Sequence, residues 1–105
     1  MKIGIVLTTV EPEVVWNALR FANTAILEDH QVKIFLLGQG VEIESIESEK
    51  FNVKEQLEKF NQLNGTMAAC GTCIKSRQMQ FNVCPISTMK DMLKMVVESE
   101  KVLTF

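Results

Sequence analysis

The chain lacks most of what would mark it as a membrane, nucleic-acid-binding or disulfide-framed protein. Nowhere in its 105 residues do apolar residues run to the ~18 that a membrane-spanning helix requires. The opening M-K-I-G-I-V-L-T-T carries one Lys and too few apolar residues for a signal h-region, and Glu11-Pro12-Glu13 follows at once. A cytoplasmic protein is expected. The 11 Lys and Arg residues form no cluster and the net charge is -2, which argues against binding a phosphate backbone. Three cysteines are too few, and odd in number, for a disulfide framework; in a reducing compartment they point to reactive or buried thiols. With one His in the chain, the single C-x-x-C lacks the second ligand pair of a closed tetrahedral zinc site, so no metal is expected. No cofactor is implied.

What is present is an ordinary globular composition, 47% hydrophobic and 23% charged, in a chain of single-domain length, residues 1–105. The pattern alternates between strand and helix. Lys2 to Thr8 is a short β-branched run, read as a buried strand. Pro12 suits the first turn of a helix on which Val15, Leu19, Ala22 and Ile26 recur at helical spacing, widened by Val14, Ala18, Phe21 and Ala25, and which ends near Asp29-His30. Trp16 and Leu27 project roughly 100° from the centre of that stripe and are expected to meet another subunit or a long loop.

Val32 to Leu37 reads as a second strand. The acidic segment 41–50 (V-E-I-E-S-I-E-S-E-K) shows no convincing periodicity and is expected to be a partly mobile surface loop. Asn52 and Glu55 resemble a capping box for a helix carrying Val53, Leu57 and Phe60, stopped at Asn64-Gly65. Thr66 to Ala69 is a third strand ending at Cys70. Phe81 to Ile86 is a weak fourth strand interrupted by Pro85. Thr88 and Asp91 cap a last helix with Met89, Met92, Leu93, Val96 and Val97 on one side, both methionines being expected in the core. Lys101 to Phe105 closes the chain as a fifth strand. Five strands alternating with helices predict an α/β fold, a mostly parallel sheet covered on both faces.

Open α/β sheets place their sites at the carboxyl ends of strands, and Cys70 falls at such an end within G-T-M-A-A-C-G-T-C-I-K-S-R-Q-M. If a helix begins at Gly71, the thiol sits at its N-terminus, and its pKa is expected below the ~8.5 of a free thiol. Lys75 and Arg77 would add positive charge, and Gly71 would let the backbone turn and a partner approach closely. C-G-T-C also matches an attacking and a resolving thiol three residues apart, so a thiol-disulfide redox role through Cys70 and Cys73 stands as an alternative. Cys84, before Pro85, reads as a packing residue, and His30 as a junction or surface residue.

An opening strand I-G-I-V-L-T, the D-H-x-V-x-I-F stretch, Gly40-Val41, the A-C-G-T-C-I-K-S-R segment and the K-V-L-T-F ending together resemble the DsrE/DsrF-like family, including its TusD-like sulfur-relay members. The resemblance spans nearly the whole chain. It implies a flavodoxin-like three-layer α/β/α sandwich that assembles into trimers or hexamers and works with sulfur donor and acceptor proteins. It also implies sulfurtransferase-type chemistry in which Cys70 carries sulfane sulfur as a persulfide, and it puts Arg77 where relatives keep a basic residue. Gly71, Thr72, Lys75 and Arg77 would then line the substrate, and Cys73, which TusD-like sequences lack, would be a resolving partner. Some members lack the working cysteine, so a non-catalytic assembly subunit remains a third reading.

Overall fold

The computed structural model describes residues 1–105. Five strands, β1 (Lys2–Leu7), β2 (Gln31–Leu36), β3 (Thr66–Cys70), β4 (Ile86–Ser87) and β5 (Lys101–Thr104), form one sheet in the order β4-β3-β2-β1-β5, with every pairing parallel. Helices α1 (Pro12–Leu27), α2 (Val53–Gln62), α3 (Gly71–Ser76) and α4 (Met89–Glu98) fill the crossovers. Parallel crossovers are right-handed, so the steps from β1 through β4, all in one direction, keep α1, α2 and α3 on one face. The step from β4 back to β5 reverses direction and puts α4 on the other.

The packing follows that rule. Ile3, Ile5, Leu7, Val32, Ile34, Leu36, Met67 and Ala69 point from the sheet into a core shared with Val15, Leu19 and Ala22 of α1, Val53 and Phe60 of α2, and Ile74 of α3. Val6, Phe35, Ala68 and Cys70 point the other way, beneath Met95 of α4. The fold is the expected α/β sandwich. No helix is long and apolar enough to cross a membrane.

The caps match the sequence. Asn52 accepts the Glu55 N–H at 3.1 Å, and Thr88 accepts the Asp91 N–H at 3.3 Å. Positive φ at Asp29 (68°) and Asn64 (61°) marks the chain leaving α1 and α2.

Four expectations need correction. The segment after β2 is a kinked 3-10 stretch, Gly38–Ser45, and not a surface loop: Val41, Ile43 and Ile46 are buried in the main core while the glutamates between them face water. Apolar residues two and three apart anchor such a stretch without giving a helical or strand period. At its base, a Cβ on Gly40 would collide with the Leu7 carbonyl, so only glycine lets this stretch lie against the end of β1. The fourth strand shrinks to Ile86–Ser87, because Pro85 has no N–H to give to a ladder, although its carbonyl accepts from Ala69 at 3.1 Å.

Val14 and Phe21 of α1 are exposed and not part of its stripe. On α4 only Met95 is buried, with Met92 packed beside it; Met89, Leu93 and Val97 are 56%, 63% and 73% exposed. Trp16, by contrast, found a partner within the chain, with its ring 5.3 Å from Phe51 and the Arg20 guanidinium 4.3 Å above it, while Leu27 stays exposed. The long-loop outcome holds for Trp16.

Candidate functional site

The chain leaves β3 toward α3 on one face and leaves β4 toward α4 on the other. Adjacent strands whose connections part to opposite faces open a crevice at their carboxyl ends, which is where α/β sheets hold ligands. Cys70, the last residue of β3, stands in register with Ser87, the last residue of β4. Cys70 is also the N-cap of α3: its Sγ accepts the Cys73 N–H at 3.4 Å. A cysteine there serves the place usually taken by a Ser or Asp oxygen.

Cys70 is 3% exposed, between Ala68 and Phe35 on one side and the turn into α3 on the other. Its thiol pKa is raised, contrary to the sequence expectation. Burial is the main cause, and the hydrogen bond with the Cys73 thiol adds to it; the Cys73 and Thr72 backbone N–H groups pull the other way without prevailing. A six-residue helix offers little macrodipole against that desolvation.

Cys73 is half-buried and shared between both cores. The N–H of Gly38 donates to its Sγ at 3.3 Å. Gly38 follows β2, so the carboxyl ends of β2, β3 and β4 all contribute to the cysteine pair. Sequence reading missed this role, although the G-Q-G directly after a strand was the signal for a backbone N–H presented at a strand end.

The remaining candidates divide. Gly71 is pressed against β4: a Cβ would lie 3.0 Å from Ile86 Cγ2 and 3.3 Å from the Ser87 carbonyl. Its small size serves sheet packing as well as any ligand. Thr72 contributes its N–H toward Cys70, while its side chain is exposed. Lys75 is exposed, and neither it nor Arg77 acts on the Cys70 thiol. Arg77 instead pairs with Glu42 at 2.9 Å and donates to the Cys73 carbonyl at 3.2 Å, which fastens α3 to the 3-10 stretch. The lowering expected of these cations does not prevail, because burial raises the Cys70 thiol.

Cys84 packs against the main core, and burial pushes its thiol up to about 12. His30 Nδ1 lies 2.8 Å from the N-terminal ammonium, far from the cysteines. None of the five surface hollows is lined by Cys70; one of 190 Å³, between Lys2, Lys33, Met95 and Glu98, sits at the amino ends of the strands. A buried sulfur beside a half-buried second sulfur, each accepting a backbone N–H, suits sulfur-to-sulfur exchange better than binding a bulky organic substrate.

The model of the DsrE/DsrF-like family matches residues 1–105. The chain is 36% identical over 114 aligned positions to an uncharacterized protein of Methanocaldococcus jannaschii, covering 100% of both. It is 35% identical over 97 positions to an uncharacterized protein of Methanopyrus kandleri, covering 86% of this chain and 80% of that one. A conserved protein of unknown function from Bacteroides thetaiotaomicron has the same fold, with a TM-score of 0.80 at 18% identity over 99% of this chain and 94% of that one.

Proposed function

Because the chain belongs to the DsrE/DsrF-like family, a family linked to sulfur relay, we propose that it carries sulfane sulfur as a persulfide on Cys70. The observation that supports this most is the placement of Cys70 at the carboxyl end of β3, in register with the end of β4, with a backbone N–H on its sulfur. The Cys70 thiolate attacks the outer sulfur of a donor persulfide; the donor leaves as a thiol, and Cys70 holds the sulfur until a second thiol takes it. Burial limits the thiolate population of resting Cys70, so loading depends on a donor that can reach the covered sulfur at the strand ends. The donor is then a persulfide, protein-borne or small, and the acceptor a thiol.

Cyanide converts sulfane sulfur to thiocyanate and so counts loaded sites. After exposure to glutathione persulfide and desalting, the Cys73→Ser variant is predicted to yield thiocyanate and the Cys70→Ser/Cys73→Ser double variant none. Equal thiocyanate from both would exclude Cys70.

Self-association has its own support. At 3.6 residues per turn, Val96, Met89, Leu93 and Val97 span about 100° of α4 next to the arc that faces the sheet, so the apolar face is about twice what one-sided packing uses. At their exposures these side chains present on the order of 400 Å² of apolar surface, a size that marks interaction sites. It also approaches the apolar share of the ~800 Å² that each partner contributes to a standard interface. A two-fold axis at Leu93 sets Met89 against Val97 of a second copy, so the stripe is complementary to itself. A second copy of this chain is its proposed occupant.

A further inference from the structure

We propose that Cys73 discharges the loaded site by expelling the sulfane sulfur as hydrosulfide, leaving a Cys70–Cys73 disulfide, so that the domain reduces sulfane sulfur as well as carrying it. The inference rests on the persulfide reading of Cys70 and concerns what happens next at the same site. Three features support it. The Cys73 N–H donates to Cys70 Sγ at 3.4 Å and Cys73 packs against the cluster that holds Cys70, so the sulfur beside Cys73 is the one that becomes the inner sulfur of a persulfide. Gly38 N–H donates to Cys73 Sγ at 3.3 Å, which holds that sulfur in place beside Cys70. The C-x-x-C spacing at a helix start is compatible with a disulfide, and neither cysteine is paired elsewhere.

The step balances. The Cys70 persulfide anion and the Cys73 thiol give the Cys70–Cys73 disulfide and hydrosulfide. The Cys73 sulfur supplies the electron pair of the new S–S bond to the inner sulfur; the pair of the old bond departs with the outer sulfur, which takes the Cys73 proton. Relative to the free dithiol and the sulfane sulfur taken up, two electrons pass to that sulfur, which leaves at the oxidation level of sulfide. Hydrosulfide is a weaker base than a cysteine thiolate and leaves more readily. A dithiol reductant then restores the two cysteines.

The arrangement also distinguishes this step from transfer to an outside acceptor. Cys70 is almost fully covered, whereas Cys73 is already in contact with it and needs no docking. An intramolecular thiol acts at an effective concentration far above that of any free thiol, so Cys73 is the first acceptor the persulfide meets.

The test treats reduced wild type and the Cys73→Ser and Cys73→Ala variants with one equivalent of glutathione persulfide, followed by peptide mass analysis and sulfide quantification. Wild type is expected to release one sulfide per chain and to end with the peptide spanning Cys70 and Cys73 lighter by two hydrogens. Both variants are expected to release none and to keep one added sulfur on Cys70. Wild type that keeps the added sulfur and releases no sulfide overturns the inference while leaving the carrier reading intact. If no variant takes up sulfur, both fall. A folding defect in one variant leaves the wild-type measurement decisive.

Discussion

On the α1 and α2 side of the sheet, 19 buried residues form one continuous core; on the α4 side the cluster has five, and one of the five is Cys70. The first face is closed by α1, α2, α3 and the 3-10 stretch, and α1 and α2 are themselves joined, Asn23 donating to the Gln56 backbone at 3.1 Å and to its side chain at 3.0 Å. The second is closed by a single helix that turns much of its own apolar surface outward. Stability is therefore concentrated on one face. The other holds Cys70 and the exposed apolar stripe of α4, as expected where function draws on the less stable parts of a fold.

The sharpest way to break this contrast is to cut a large side chain from each face. Phe60→Ala removes a fully buried ring from the thick core and is predicted to cost about 3–5 kcal/mol in urea unfolding, whereas Met95→Ala should fall near ~2 kcal/mol, because half-exposed α4 can settle into the gap. Equal costs would mean the two faces share the load. If α4 pairs two copies as proposed, Leu93→Asp should leave the chain smaller in solution than wild type by light scattering, with at most about 0.5 kcal/mol of change in chain stability, because the side chain is 63% exposed. An unchanged assembly would remove α4 as its contact.

The thiols sharpen the contrast through pH. Burial raises both Cys70 and Cys84, so alkylation of each should accelerate as pH rises beyond the ordinary thiol range, with Cys84, at about 12, the slower. Because a raised thiol pKa favours the folded state only while the group is protonated, Cys84's contribution is full below its unfolded value of ~8.5 and is lost toward about 12. Alkaline unfolding in that window should therefore shift upward in Cys84→Ala. The smallest effect is expected for Arg77→Ala. Its pair with Glu42 is partly exposed and worth about 0–1 kcal/mol, and its guanidinium is engaged by Glu42 and the Cys73 carbonyl, so sulfur loading of Cys73→Ser should change less than about two-fold when Arg77→Ala is added.

Where one rule governed a segment, the sequence was enough to read it. The capped helices, the three central strands and the position of Cys70 all followed from period and turn chemistry. The misreadings came where neighbours decide. Val41, Ile43 and Ile46 carry no regular period, yet the gap beneath them buries all three. The α4 stripe looked like core because apolar periodicity reports that a surface will be covered, not whether this chain covers it. At the site, the spacing brings Cys73 beside Cys70, while the Cys70 thiol is raised where neighbouring charge was expected to lower it. Lys75 is exposed, and Arg77, though near in sequence, pairs with a glutamate 35 residues away along the chain. Gly38 escaped notice because its contribution is a backbone N–H brought in from another strand.

The account stands or falls on where sulfur lodges. Peptide mapping of the Cys73→Ser variant after glutathione persulfide treatment is predicted to find a single added sulfur atom, on Cys70, with Cys84 unmodified. Sulfur on Cys84, or on no cysteine while the donor is still active toward a free thiol, would contradict it.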